Sequence, residues 1–183
     1  MVSSSSFSLK GFTAIQIGMY FLLAAYLIKN ILDGFLIDDN PMGMMSAQII
    51  EITIISILIF VFLFSSLALF FSAKRRSKKL ELSLWNPVSK YNLWRYLGSF
   101  LILFLLLYFS MNQGFIDLLS PIFMFFYALI LFLINQKSNK YLQIISGICA
   151  LLAVICFLIP SYWYASILIL GIAHITFGIV VKD

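Results

Sequence analysis

Histidine occurs once in this chain, cysteine twice and acidic residues only seven times among 183 residues. A metal site draws several His, Cys or carboxylate ligands close together, and this stock is too thin for one. The two cysteines, Cys149 and Cys156, fall on one face of an apolar helical stretch. Their spacing separates them by about 10 Å of helical rise, too far for a mutual disulfide, so they read as small packing residues. Charge is equally scarce. Only 10% of the residues are Asp, Glu, Lys or Arg, against roughly 25% in an ordinary soluble domain. Sequence signatures of chemistry are missing too: there is no H-E-x-x-H, no G-x-S-x-G, no Walker loop and no G-x-G-x-x-G. The expectation is a non-enzymatic chain with no cofactor.

What the chain has is hydrocarbon. Apolar residues make up 63% of it, and the mean hydropathy is +1.07. The apolar runs are continuous rather than alternating, which excludes a lipid-facing barrel. In a bilayer, helices satisfy their own backbone groups, so the expected fold class is all-α, a polytopic membrane helix bundle forming a single domain over 1–183.

A crossing of about 30 Å needs roughly 20 helical residues. Five uncharged stretches meet or approach that length, and the last, from Tyr141 to Val181, is long enough for two crossings. "FLIPSYWY" (157–164) divides it with a proline, a serine and aromatics of the kind that collect at interfaces. Six spans are expected at about 11–32, 47–73, 93–112, 115–136, 141–159 and 162–181. Ser120-Pro121 reads as a helix start, which leaves the fourth span short for an untilted crossing.

Six crossings put both termini on one side. Lys10, Lys74, Arg75, Arg76, Lys78, Lys79, Lys90, Arg95, Lys137, Lys140 and Lys182 fall on that side, eleven of the twelve basic residues. Lys29 alone falls opposite, with Asp33, Asp38, Asp39, Glu51 and Asp117. The positive-inside rule makes the basic side cytoplasmic, so the expected topology is N-in/C-in. No A-x-A-like site follows the first apolar run, which is expected to act as an uncleaved anchor.

Three groups of residues are candidates for a role. His174 lies in "ILGIAHITFGIV" (169–180), about 12 Å short of Lys182 along the helix. Gln16, Ser65, Ser66 and Ser146 count to a similar depth, and no acid does. The expectation is a neutral imidazole hydrogen-bonded across a close helix contact, because Gly171, His174 and Gly178 share one face. A proton or ligand site is the alternative. Ser146-Gly147 with His174 is the nearest imitation of a Ser–His pair, and the rest of a catalytic constellation is missing. At the outer ends, Lys29, Asp33, Glu51 and Asp117 form a charge cluster. A Lys29–Glu51 ion pair is expected there, with an outward-opening cation or substrate site as its functional alternative. The loop "AKRRSKKLELSLWNPVSKYNLWRY" (73–96) carries Lys74, Arg75, Arg76, Lys78 and Lys79, with Trp85 and Trp94 at headgroup level. It is expected to anchor topology and meet anionic lipid headgroups, while "LELSLW" (80–85) lies extended along the membrane. No folded module surrounds these charges, so nucleic acid is not an expected partner.

"KLELSLWNPVSKYNLWRYL", "PIFMFFYALILFLINQKSNKYLQIISGICALL" and "YASILILGIAHITFGIVV" together resemble a group of uncharacterised six-helix inner-membrane proteins of Bacteroidetes. The positions that carry the resemblance are Leu84, Trp85, Ser89, Lys90, Pro121, Tyr127, Gly171, His174 and Gly178. It implies a six-span fold in the bacterial inner membrane. The last hairpin is also similar to the repeated hairpin of HdeD-like acid-stress membrane proteins. The expected function is a structural, stress-related or accessory membrane component, as a homo-oligomer or within a larger complex. A small transporter or channel using the outer acids is the alternative, and an intramembrane enzyme is a more distant one.

Overall fold

A computed structural model describes residues 11–35, 47–79, 87–113, 118–134, 140–159 and 163–181. They form six helices: α1 (Phe12–Phe35), α2 (Ala47–Lys79), α3 (Pro87–Asn112), α4 (Leu119–Ile134), α5 (Lys140–Leu158) and α6 (Trp163–Val180). No strand occurs among the described residues. Long apolar stretches leave the backbone only its own carbonyls as partners, and the hydroxyls within them behave likewise. Thr53, Ser56 and Ser66 each donate to the carbonyl four residues back, at 2.7 to 2.8 Å. Pro87 opens α3 and Pro121 lies in the first turn of α4, where a missing N–H costs nothing.

Segments Phe12–Ile31, Ile52–Arg75 and Lys90–Asn112 are long and apolar enough to cross a membrane. Leu119–Leu133, Leu142–Leu158 and Tyr164–Val180 are shorter apolar helices. The sixteen residues of α4 span about 24 Å, less than a full hydrocarbon thickness. The outer surface is apolar: Phe60, Leu63, Phe64, Leu67 and Phe71 on α2 and Leu101, Leu105 and Phe109 on α3 all stand exposed. A water-soluble monomer does not present so continuous a patch.

Two helix ends lie beyond the expected bounds: α3 opens at Pro87 rather than at 93, and α2 runs past 73. Charge in the basic run points to a loop opening at Lys74, but α2 continues through it to Lys79. Lys and Arg are good helix formers, and no Gly or Pro intervenes before Pro87. Cations in the last turns also suit the negative end of the helix dipole. The basic residues therefore stand on a helical extension. The expected extended segment, 80–85, lies outside the described residues.

Neighbouring pairs are α1–α2, α1–α6, α5–α6, α4–α5 and α3–α4. The order around the bundle is thus α2, α1, α6, α5, α4, α3. Aromatic rings bridge its two ends: Phe62 of α2 stacks on Phe100 of α3 at 4.3 Å between centroids and meets Tyr96 at 5.6 Å. Glycines bring the backbones of α1 and α6, which run antiparallel, into close contact. A Cβ placed on Gly18 would lie 2.6 Å from the carbonyl oxygen of Gly171, and one on Gly178 would lie 2.6 Å from that of Gly11. Two glycine pairs, seven residues apart along each chain segment, therefore hold these backbones together. Gly11 turns the chain into α1 with φ of 53°, a conformation that disfavours any side chain. Its N–H donates to the Val181 carbonyl at 2.8 Å. The start of α1 and the end of α6 consequently lie at the same end of the bundle.

Gly18→Ala forces these backbones apart and is expected to destabilise the protein by about 1–3 kcal/mol. At Gly98 and Gly147 an added Cβ would meet nothing within 4 Å. Alanine at either is expected to be neutral, or to stabilise by up to about 1 kcal/mol. Thermal unfolding of the three variants in detergent checks the contrast.

Candidate functional site

His174 is fully buried. Gly171 lies one turn before it on α6, and Gly18 lies one turn before Phe21 on α1. Side chains on a helix lean toward its N-terminus. On antiparallel α1 and α6, Phe21 and His174 therefore lean toward each other across the glycine contact. Their rings are parallel, 6° apart in plane and 5.7 Å between centroids. From the opposite side of the bundle, Tyr127 of α4 brings its hydroxyl to 2.8 Å from His174 Nε2. Tyr127 itself lies edge-on to Phe21 at 5.4 Å and parallel to Phe123 at 5.9 Å. One hydrogen bond thus joins α4 to α6 inside an aromatic box, and α1 supplies the box's floor. His174 Nδ1 has no partner among the described residues. The ring can accept the Tyr127 proton at Nε2 while Nδ1 carries its own, or it can donate from Nε2.

The four residues expected to share the depth of His174 are not its partners. Gln16 Nε2 donates to the Tyr20 hydroxyl at 3.0 Å. Ser66 donates to the Phe62 carbonyl and lies 3.3 Å from the Tyr96 hydroxyl. Ser146 donates to the Ala128 carbonyl at 2.8 Å, tying α5 to α4. Ser65 is buried, and its hydroxyl has no partner among the described residues. Counting rise along a helix gives depth but neither azimuth nor reach, and Ser66 and Ser146 satisfy themselves on nearby carbonyls. A phenol spans the gap that they cannot. Tyr127 is visible in the sequence as the polar residue in the middle of α4, "LSPIFMFFYALILFLI", where a buried hydroxyl demands a partner.

The outer charge cluster is described only in part. Lys29 is exposed, with its ammonium 5.8 Å from the centre of the Tyr164 ring of α6, a cation–π contact at the edge of the usual range. Asp33 is exposed one turn further along α1. The Glu51 side chain and Asp117 lie outside the described residues, and the expected Lys29–Glu51 pair with them. At the other end, Lys74, Arg75 and Lys78 are exposed on the α2 extension. Arg76 and Lys79 belong to the same helix, but their side chains, like Trp85, lie outside the described residues. Trp94 is 68% exposed on α3, the placement of an interfacial aromatic. Next to it, Arg95 donates to the Leu133 carbonyl at the end of α4 at 3.2 Å and lies over the Tyr91 ring. That contact joins α3 to α4, a role that charge counting alone does not suggest.

No group of three or more His, Cys, Asp or Glu side chains converges among the described residues. Cys149 and Cys156 are both buried. The Tyr127 ring has a second face, on a cavity of ≈ 110 Å³ between α2 and α3. No protein-family model, no curated protein and no solved structure matches the chain.

Tyr127→Phe strands both His174 nitrogens in an apolar site and is expected to cost about 1–3 kcal/mol. His174→Leu is expected to cost about 0.6–1.7 kcal/mol, the range for interhelical hydrogen bonds in a membrane protein. The double variant should lose less than the sum, because no polar group is then left unpaired. A double-mutant cycle on thermal unfolding in detergent checks it, and simple additivity would refute the coupling.

Proposed function

We propose that this chain is a non-enzymatic, multi-pass protein of a bacterial inner membrane, built as a structural, stress-related or accessory component. The observation that carries this reading is the Tyr127–His174 bond. The bundle's histidine sits inside an aromatic box and joins α4 to α6, and both rings also pack on Phe21 of α1. A polar pair used in this way holds three helices in register.

In this reading all six helices cross or enter the bilayer, with α4 tilted or embedded. Both termini are cytoplasmic. The hydrogen bond from Gly11 to Val181 supports the shared side, and the basic residues of the α2 extension support its being the cytoplasmic one. Lys74, Arg75 and Lys78 project where anionic headgroups lie and contribute about 1 kcal/mol each to lipid attraction. The exposed apolar faces of α2 and α3 leave room for a second copy or a larger membrane complex.

A reporter fused after Asp183 is expected to read cytoplasmic, and one inserted at Asn40 external; the same side for both would refute six spans. Co-purification from native membranes in mild detergent, followed by mass spectrometry, tests the accessory role. A stoichiometric membrane partner or a defined homo-oligomer supports it. A monomer with no partner at any detergent concentration counts against it.

A further inference from the structure

Aromatic rings, not glycines, face each other across the α2–α3 seam. Behind it lies the cavity of ≈ 110 Å³. Its walls include Phe21, Phe62, Phe100 and Phe123 with the rings of Tyr96 and Tyr127, and no charged residue lines it among the described residues. Leu97 also lines it and is 40% exposed, so the cavity reaches the flank of the bundle beside α3. Both flanking helices are long and apolar enough to cross a membrane. Ser65 lies about 15 Å along the helix from the Arg75 end of the α2 span, near its middle. Leu97 lies one turn beyond the interfacial Trp94 on α3, so the side opening stands at the edge of the hydrocarbon, next to the headgroup layer.

Ser65 distinguishes this cavity from a packing defect. It is 6% exposed, it lines the cavity, and its hydroxyl has no partner among the described residues. Thr53, Ser56 and Ser66 on the same helix all donate to their own backbone, and Ser65 does not. The other hydroxyls of the wall are engaged: Tyr96 with Ser66, and Tyr127 with His174. Asn92, at the α3 edge of the wall, is engaged as well. Ser65 thus carries the wall hydroxyl left without an acceptor among the described residues, and a buried donor without an acceptor is costly.

We infer that this cavity binds an uncharged, bilayer-dissolved molecule with a carbonyl-bearing ring, of the quinone class. The ring carbonyl accepts the Ser65 hydrogen bond, and the apolar tail leaves past Leu97 into lipid. The cavity of ≈ 110 Å³ is smaller than the apolar cavity of about 150 Å³ that takes benzene, so a ring seats against Ser65 with its substituents in the open side beside Leu97. Flat aromatic walls offer stacking and edge contacts to a flat ring. An anion is disfavoured because no cation lines the chamber. An alkyl chain would fill the space but leave Ser65 without an acceptor.

The test uses the full chain in detergent, titrated with a benzoquinone bearing a ten-carbon tail and, separately, with decylbenzene, which keeps ring and tail but has no carbonyl. A saturable rise in Tm is expected with the quinone, at concentrations at least tenfold below any effect of decylbenzene. Ser65→Ala is expected to raise the quinone Kd about tenfold, the worth of one hydrogen bond, and to leave decylbenzene unchanged. Leu97→Trp, at the exposed edge, blocks the opening without disturbing the core and should weaken both. Equal responses to the two probes, or a Ser65→Ala variant with unchanged quinone affinity, would overturn the inference in favour of a bound water on Ser65. The absence of any saturable shift would overturn it as well.

Discussion

Gly18 against Gly171, and Gly11 against Gly178, set the separation of α1 and α6, and much of the bundle's arrangement follows from that separation. Lipid tails are as apolar as leucine, so burying hydrocarbon gives these helices little reason to associate. Close packing and interhelical hydrogen bonds must do it instead. Glycine on both partners lets carbonyl oxygens approach to distances that no side chain would tolerate. Once the first and last helices are locked, the remaining four must complete an arc between them. Where that arc closes, between α2 and α3, the facing residues are Phe62, Tyr96, Phe100 and Phe104. Rings cannot approach as glycines do, so a cavity lies behind the α2–α3 seam, whereas α1 and α6 are in backbone contact.

The accounting of polar groups follows the same geometry. Most hydroxyls bond to a carbonyl or hydroxyl close at hand, and Thr13 reaches across to Ser72 at 2.7 Å to fasten α1 to α2. His174 cannot satisfy itself in this way. Packed close by the glycine contact and covered by Phe21, its ring depends on Tyr127. The Tyr127 ring in turn forms part of the chamber wall, so the tight flank and the open flank share one residue. A ligand pressing on Tyr127 in the chamber would be felt at His174 through a single bond.

The charged ends are arranged more simply. Carrying α2 beyond its apolar stretch lifts Lys74, Arg75 and Lys78 on a rigid stem, where charge alone points to a flexible loop. Arg95, by contrast, turns back onto the end of α4. Basic residues that look alike by composition thus divide into those that face the surroundings and those that brace the fold.

Helical class, the number of apolar helices and the shared face of Gly171, His174 and Gly178 are all legible in the sequence. Each depends on hydropathy and period within one segment, and those are local properties. The α2 boundary is not, because charge does not end a helix; only Gly, Pro or an unmet backbone demand does so. The partner of His174 cannot be found by counting, since depth along a helix fixes neither the direction of a side chain nor its reach. Ser65 has the same composition and nearly the same depth as Ser66 beside it. Tertiary structure alone leaves its hydroxyl facing an open chamber, because the rings of α2 and α3 hold their helices apart where the glycines of α1 and α6 draw theirs together.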